Sequence, residues 1–173
     1  MSTILQGKAV TISGDHLNAD RAMGWYLGMD ALPPEEIAQK FMAGIDPSII
    51  SVVEKGDILV CGRNFGFGKV HNAFFASLTV LEIKCIVAES FSTQLFQSAM
   101  MQGVLLVACP NVLEQVDMRD ELEVDIKTAT VKNLSQGVTL QGEPLPEYCL
   151  DVLMSGGHVG YLMRSLAAKR QSE

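Results

Sequence analysis

Three short, continuous apolar runs in the middle of the chain alternate with helical patterns. The runs occupy Ile58–Cys61, Cys85–Ala88 and residues 104–109, and the segments between them carry apolar side chains on one helical face. A strand that is apolar at every position is buried on both faces, and neighbouring parallel strands need a crossover such as a helix. The chain is therefore predicted to form an α/β fold with a parallel layer covered on both faces.

The pattern changes after Pro110, where apolar and polar residues begin to alternate. Residues 121–126 alternate strictly, and residues 130–134 and 137–140 continue the pattern. Strict alternation is typical of an antiparallel strand with one face in water, so these segments predict a small β-meander beside the parallel core. No linker divides the chain, and we expect one domain that spans residues 1–173.

The two ends of the chain complete the predicted element order. Residues 8–12 are predicted to form the first strand. Prolines and acids over residues 33–36 favour a helix start, and this helix is predicted to continue through Met42. Two further helices are predicted, one from about Glu147 and one over residues 159–168.

Composition and charge exclude several classes of function. The chain has 173 residues, of which 48% are hydrophobic, so it can build a substantial core. Lys and Arg number 13 against 20 Asp and Glu, a net charge of −7 that argues against binding to nucleic acid or to an anionic membrane. No signal-peptide pattern and no apolar run long enough to span a membrane is visible, so we expect a cytoplasmic location.

The four cysteines do not have the spacing of a metal site. Cys61, Cys85, Cys109 and Cys149 form no CxxC pair, so we expect no zinc or iron–sulfur site held by this chain alone. Three of them lie in apolar, strand-like segments. We therefore predict buried free thiols in a reducing compartment, in preference to disulfides.

A glycine-rich turn, residues 62–68, follows the strand Ile58–Cys61 and leads into a helix predicted from about Val70. Three glycines in seven residues allow close backbone approach and positive φ angles. A glycine loop at a helix N-terminus can offer N–H groups to a carboxylate or phosphate. The spacing matches neither a P-loop nor the dinucleotide fingerprint, so the turn is either an anion site or a tight turn that serves packing alone.

Three further residues near this turn have both a functional and an ordinary explanation. Lys69 and His71 fall in the first turn of the helix, where a cation opposes the helix dipole, although screening by solvent would make that cost small. Asp20 lies in a polar loop, where carboxylates often cap turns. Tyr26 belongs to a segment that could form an aromatic loop over a pocket or simply cover the core.

These motifs, taken in order, resemble a known family. The chain resembles the small subunit of 3-isopropylmalate dehydratase, the free-standing counterpart of the swivelling C-terminal domain of aconitase. The resemblance extends from about Gly7 to about Leu166 and implies a swivelling β/β/α domain. It is carried by residues 14–20, 26–27, 56–68, 86–91 and 142–147.

The resemblance implies an enzyme of two subunits. In this family a separate large subunit holds a [4Fe–4S] cluster, and the small subunit completes the active site. The reaction converts 2-isopropylmalate to 3-isopropylmalate, a step of leucine biosynthesis. The resemblance therefore implies a small dicarboxylate substrate of the alkyl-malate type, a large-subunit partner and no cofactor in this chain. Tyr26 and Leu27 match the family's substrate-recognition loop, where an apolar residue suits an alkyl group.

The chain departs from the family directly after the glycine turn. The family has Ser-Ser-Arg-Glu, of which the first Ser is the base and the next Ser and the Arg bind carboxylate, whereas this chain has Lys69-Val70-His71-Asn72. Of the family's Asp-Thr-Asp only the second acid remains, as Asp20. A lysine acts as a base only when it is neutral, which burial can achieve. The catalytic candidates are Lys69, His71 and Asp20, and the substrate-binding candidates are Tyr26, Leu27, Asn64, Gly66, Gly68 and Val70.

The sequence leaves two main functions open, and a stand-alone binder of a small carboxylate at the glycine turn is a weaker third. The Tyr-Leu pair and the intact glycine turn favour an active small subunit of a hydro-lyase. The missing Ser-Ser-Arg favours a non-catalytic or altered-substrate paralogue that binds and regulates or stabilises a partner subunit. Either protein could form a homo-oligomer when it is isolated.

Overall fold

A seven-stranded mixed sheet forms the centre of the computed structural model, which describes residues 3–24, 29–83 and 85–171. The strands lie in the order β4-β3-β2-β1-β5-β6-β7. β1 to β4 are parallel, and β5 to β7 continue the sheet antiparallel on the other side of β1. Their bounds are β1 (Ile4–Ile12), β2 (Ile58–Cys61), β3 (Cys85–Ala88), β4 (Leu105–Ala108), β5 (Glu121–Asp125), β6 (Thr130–Asn133) and β7 (Val138–Gln141).

The first strand joins the parallel and antiparallel parts of the sheet. Residues 9–12 pair in parallel with β2, whereas residues 4–8 pair antiparallel with β5. The strand therefore begins at Ile4, four residues before the predicted start at Lys8. The sequence around Gln6 and Gly7 lacks the pattern of a buried strand, because residues 4–8 pair with β5 and remain partly exposed.

The helices alternate with the parallel strands and then close the chain. Their bounds are α1 (Ala19–Ala22), α2 (Pro34–Ala38), α3 (Asn72–Val80), α4 (Thr93–Gln102), α5 (Glu147–Met154) and α6 (His158–Gln171). None of the described helices is long and apolar enough to cross a membrane.

The prediction that the helix at residue 34 continues through Met42 is wrong. α2 ends at Ala38, and Met42 has a φ angle of +57° in a turn. Phe41 and Met42 are nevertheless fully buried. Their apolar side chains therefore reflect packing in the core and do not indicate a helix. The turn brings Gly44 against α1, where an added Cβ would lie 1.9 Å from the carbonyl oxygen of Arg21.

The two faces of the sheet are covered by different layers. Leu59 and Cys61 of β2 face a core built with α3 and α4, whereas Ile58 and Val60 face a second core. The second core is completed by the curled antiparallel strands. Two β-layers and one helical layer result, which confirms the predicted β/β/α arrangement with a parallel core and a β-meander.

The cysteines are free thiols, and three of them are buried in these cores. Burial raises the pKa of Cys85 to about 12 and that of Cys109 to about 11, and it raises the pKa of Cys61 well above its ordinary value. These three thiols are therefore packing groups and not nucleophiles. Cys149 on α5 is half-buried.

Candidate functional site

Three loops meet where the parallel strands end. Residues 13–18 follow β1, residues 62–71 follow β2 and residues 89–92 follow β3. The carboxyl ends of parallel strands share one edge of the sheet, which is where α/β proteins place their ligands. The glycine turn occupies the middle of this edge, since β2 lies between β1 and β3.

The loop after β1 holds one side of the glycine turn. The backbone N–H groups of Gly66 and Phe67 both donate to the carbonyl oxygen of Leu17, at 2.8 and 3.1 Å. The backbone N–H of Arg63 donates to Asp15 Oδ1 at 2.9 Å, and the Arg63 guanidinium donates to Oδ2. These bonds, the backbone N–H first, hold the pKa of the Asp15 carboxyl below its usual value.

The loop after β3 holds the other side. The backbone N–H of Asn64 donates to Ser90 Oγ at 2.9 Å, and that of Phe65 donates to the Ser90 carbonyl at 3.0 Å. Ser92 Oγ donates to the carbonyl oxygen of Gly66 at 2.7 Å. The N–H groups of residues 63–67 thus all donate within the protein. A bound anion would use N–H groups further along, at residues 68–70 and in the first turn of α3.

Two glycines of the turn are required by close packing. Gly66 has a φ angle of +78°, and an added Cβ would lie 2.5 Å from Leu95 Cβ. Gly68 has a φ angle of +83°, and an added Cβ would lie 2.4 Å from the amide nitrogen of Asn18. That amide donates to the carbonyl oxygen of Phe67 at 2.7 Å. Packing therefore accounts for both glycines, whatever further part they have in binding.

Asn64, predicted to bind substrate, lies at the tip of the turn with a φ angle of +50°. Its side-chain amide nitrogen is 2.9 Å from His16 Nδ1, so it links the loops that follow β1 and β2. The amide is only half-buried.

Asp20 and His71 are brought together although 51 positions separate them. Asp20 lies on α1 with 8% of its surface exposed, and it accepts the backbone N–H of His71 at 2.8 Å. The ring Nδ1 of His71 contacts the second oxygen of the same carboxylate. An ionised carboxylate can only accept, so Nδ1 carries the hydrogen and the lone pair of neutral imidazole lies on Nε2. The carboxylate is also well placed electrostatically, because His71 directly precedes α3.

Lys69 and Val70 are not buried together with the Asp20–His71 pair. Lys69 is exposed, so the chain by itself does not bury its ammonium group. Val70 is half-buried and packs against the core on the helical face of the sheet. Tyr26 and Leu27, the predicted recognition pair, lie outside the described residues, as does Trp25.

An open cavity of about 770 Å³ lies beside the glycine turn. Its walls include Asp15, His16, Arg21, Ile45 and Phe67. A second cavity of about 430 Å³ lies between the loop after β3 and residues 143–146.

Arg21, Arg63 and Ser92 take part in this edge but are not among the site residues that the sequence predicts. A usable signal existed for Ser92, because polar residues directly follow the buried strand β3, as they follow β2. No comparable signal exists for Arg21, whose position follows only from the turn that brings Ile45 to α1.

The described residues contain no group of three or more His, Cys, Asp or Glu side chains placed to hold a metal ion. The edge of the sheet that carries the glycine turn offers hydrogen-bond donors, an Asp–His pair and cations. These groups suit the binding of a small anion and the transfer of a proton.

Comparison with known proteins identifies the family of this chain. The chain is 40% identical over 134 residues to the small subunit of isopropylmalate/citramalate isomerase from Methanocaldococcus jannaschii, covering 78% of this chain and 80% of that protein. It is 33% identical over 165 residues to 3-isopropylmalate dehydratase small subunit 1 from Methanopyrus kandleri, covering 95% of each. The chain belongs to the family of 3-isopropylmalate dehydratase small subunits. This confirms the resemblance inferred from the motifs.

A solved member of the dehydratase family has the same fold. The crystal structure of 3-isopropylmalate dehydratase from Methanocaldococcus jannaschii superimposes with a TM-score of 0.87 over 98% of this chain and 99% of that one, at 24% identity. A comparison with protein-family models gives no match.

Proposed function

We propose that this chain is the small subunit of a 3-isopropylmalate dehydratase-type hydro-lyase and works with a separate large subunit. The supporting observation is the similarity over most of its length to proteins named as such small subunits. The reaction is the conversion of 2-isopropylmalate to 3-isopropylmalate, in leucine biosynthesis. One relative is named for citramalate as well, so the proposed substrate class is the small alkyl-malates.

We place the [4Fe–4S] cluster on the large subunit. Cys61, Cys85 and Cys109 are buried thiols, and in the described part of the chain no cluster of ligating side chains accompanies them. The cluster, when bound, supplies Lewis-acid chemistry at the substrate hydroxyl. The small subunit binds and orients the dicarboxylate, and it moves a proton.

In this proposal His71 is the group that moves the proton. Asp20 accepts the hydrogen on Nδ1, fixes the ring and leaves Nε2 as the basic nitrogen. Nε2 takes the proton from the carbon next to the departing hydroxyl and returns a proton on rehydration. Asp20 is a positioning residue, because it acts through His71.

Lys69 has a different role in this proposal. It is exposed in the chain alone, and in this proposal the large subunit covers it when the two subunits meet. At the active-site edge an ammonium group attracts one carboxylate of the substrate. The family's serine base and arginine clamp are thus replaced by a histidine base and a lysine cation.

The test is reconstitution with a cluster-loaded large subunit and assay of 2-isopropylmalate isomerisation. His71→Gln should lower kcat by at least about 100-fold. Asp20→Asn should also lower kcat. The asparagine amide can donate to Nδ1 and so favours the tautomer of His71 in which Nε2 carries the hydrogen. Lys69→Ala should raise KM, and the exposed Lys127→Ala is the matched control with unchanged kinetics.

Two results would contradict the proposal. A tight complex without turnover on any alkyl-malate would show a non-catalytic paralogue that stabilises its partner. Turnover that survives His71→Gln but not Lys69→Ala would show that Lys69 is the base.

A further inference from the structure

We propose that Arg21 binds the second carboxylate of the substrate in the cavity beside the glycine turn. The inference rests on the proposed function and deepens it. In the proposed function Lys69 attracts one carboxylate of the substrate. The position of the family's arginine is occupied by His71, which is bound to Asp20, so the second carboxylate has no guanidinium partner there.

The local geometry of α1 separates Asp20 from Arg21. Successive residues of a helix project about 100° apart. Asp20 is buried and directed at His71, whereas Arg21 is exposed and lines the cavity. One short helix thus contributes the positioning carboxylate on one side and a guanidinium on the other.

The guanidinium of Arg21 is not neutralised within the part of the chain that the structure describes. Asp15 also lines the cavity, but its carboxylate is held by Arg63, with 2.8 Å between Nη2 and Oδ2. Arg21 forms no ion pair with any described residue. In a chain of net charge −7, such a guanidinium at a cavity wall is a ready partner for an anion.

The rest of the cavity suits an alkyl group. Leu17, Ile45 and Phe67 contribute apolar surface, and Phe67 meets the ring of His16 edge-on, with 6.4 Å between the ring centroids. The volume of about 770 Å³ is within the range of small-molecule sites. The wall therefore combines one guanidinium with an apolar surface, which matches a short alkyl chain that carries a carboxylate.

The experiment compares Arg21→Gln and Arg21→Lys in the reconstituted enzyme. Arg21→Gln should raise KM for 2-isopropylmalate about tenfold or more, with a smaller change in kcat, because one charge-assisted hydrogen-bonded pair is lost. Arg21→Lys should recover part of the loss, since it restores charge without the planar fork. Lys127→Gln removes a distant exposed cation and should leave KM unchanged.

Failure of this inference is distinguishable from failure of the proposed function. A KM for Arg21→Gln within twofold of the parent enzyme would overturn the inference and leave the proposed function intact. If the parent enzyme shows no turnover, the proposed function fails. In that case the isolated chain is titrated directly with 2-isopropylmalate and followed by amide chemical shifts. Shift changes at Ile45 and Phe67 that Arg21→Gln abolishes would support binding by Arg21. An absence of binding would overturn the inference.

Discussion

At the scale of single residues, one carboxylate organises the candidate site. Asp20 is nearly buried, and both of its oxygens face His71, one the backbone N–H and one the ring. A buried carboxylate is costly unless it is hydrogen-bonded, so this pairing stabilises the fold whether or not it is used in chemistry.

The glycine turn yields a stability prediction at this scale. Gly66→Ala should lower the free energy of unfolding by about 3 kcal/mol, because an alanine at φ +78° costs about 1 kcal/mol and its Cβ would meet Leu95 at 2.5 Å. Gly56→Ala is the matched control: its φ is +84°, but nothing lies within 4 Å, so only the cost of about 1 kcal/mol is expected. Urea unfolding measures both, and equal losses would show that Leu95 moves aside without cost.

At the scale of elements, the strands of the parallel core were predictable and their surroundings less so. The runs Ile58–Cys61 and Cys85–Ala88 are strands at their predicted bounds, because burial on both faces leaves an unbroken apolar pattern. Helix α2 was overestimated, because Phe41 and Met42 are buried by a turn, which carries no periodic signal. The family motif indicated where the site lies, but contacts between distant loops, such as Asp20 with His71, depend on the three-dimensional fold.

The junction of β3 and α4 can be tested at this scale. Ser92 caps α4 by accepting the backbone N–H of Leu95 at 3.1 Å, and it also donates to the Gly66 carbonyl. Ser92→Ala should lower the free energy of unfolding by about 2 kcal/mol, since a cap is lost and a carbonyl is left without its donor.

Ser51→Ala is the control for Ser92→Ala. Ser51 Oγ also donates to a carbonyl, that of Ser48 at 2.6 Å, but it lies on an exposed turn. Its loss should stay within about 0.5 kcal/mol. A similar effect of the two variants in urea unfolding would mean that the α4 cap does not stabilise the glycine turn.

At the scale of the whole molecule, the sheet is shared by two separate cores. Alternate residues of β2 enter the helical core and the core covered by the antiparallel strands. β1 pairs with both halves of the sheet along a single strand. Loss of packing in either core would therefore expose strands that also line the other, so we expect the predicted single domain to unfold as one unit.

The three buried cysteines report on this coupling. Cys61 lies in the helical core, whereas Cys85 and Cys109 lie in the other core. If the chain unfolds as one unit, all three thiols should become reactive toward iodoacetamide over the same range of denaturant concentration, with a single midpoint by mass spectrometry. In the native chain at mildly alkaline pH they should react at least about 1000-fold more slowly than in the unfolded chain, because burial both excludes the reagent and raises their pKa. Labelling of Cys85 and Cys109 at a lower denaturant concentration than Cys61 would show instead that the antiparallel half unfolds on its own.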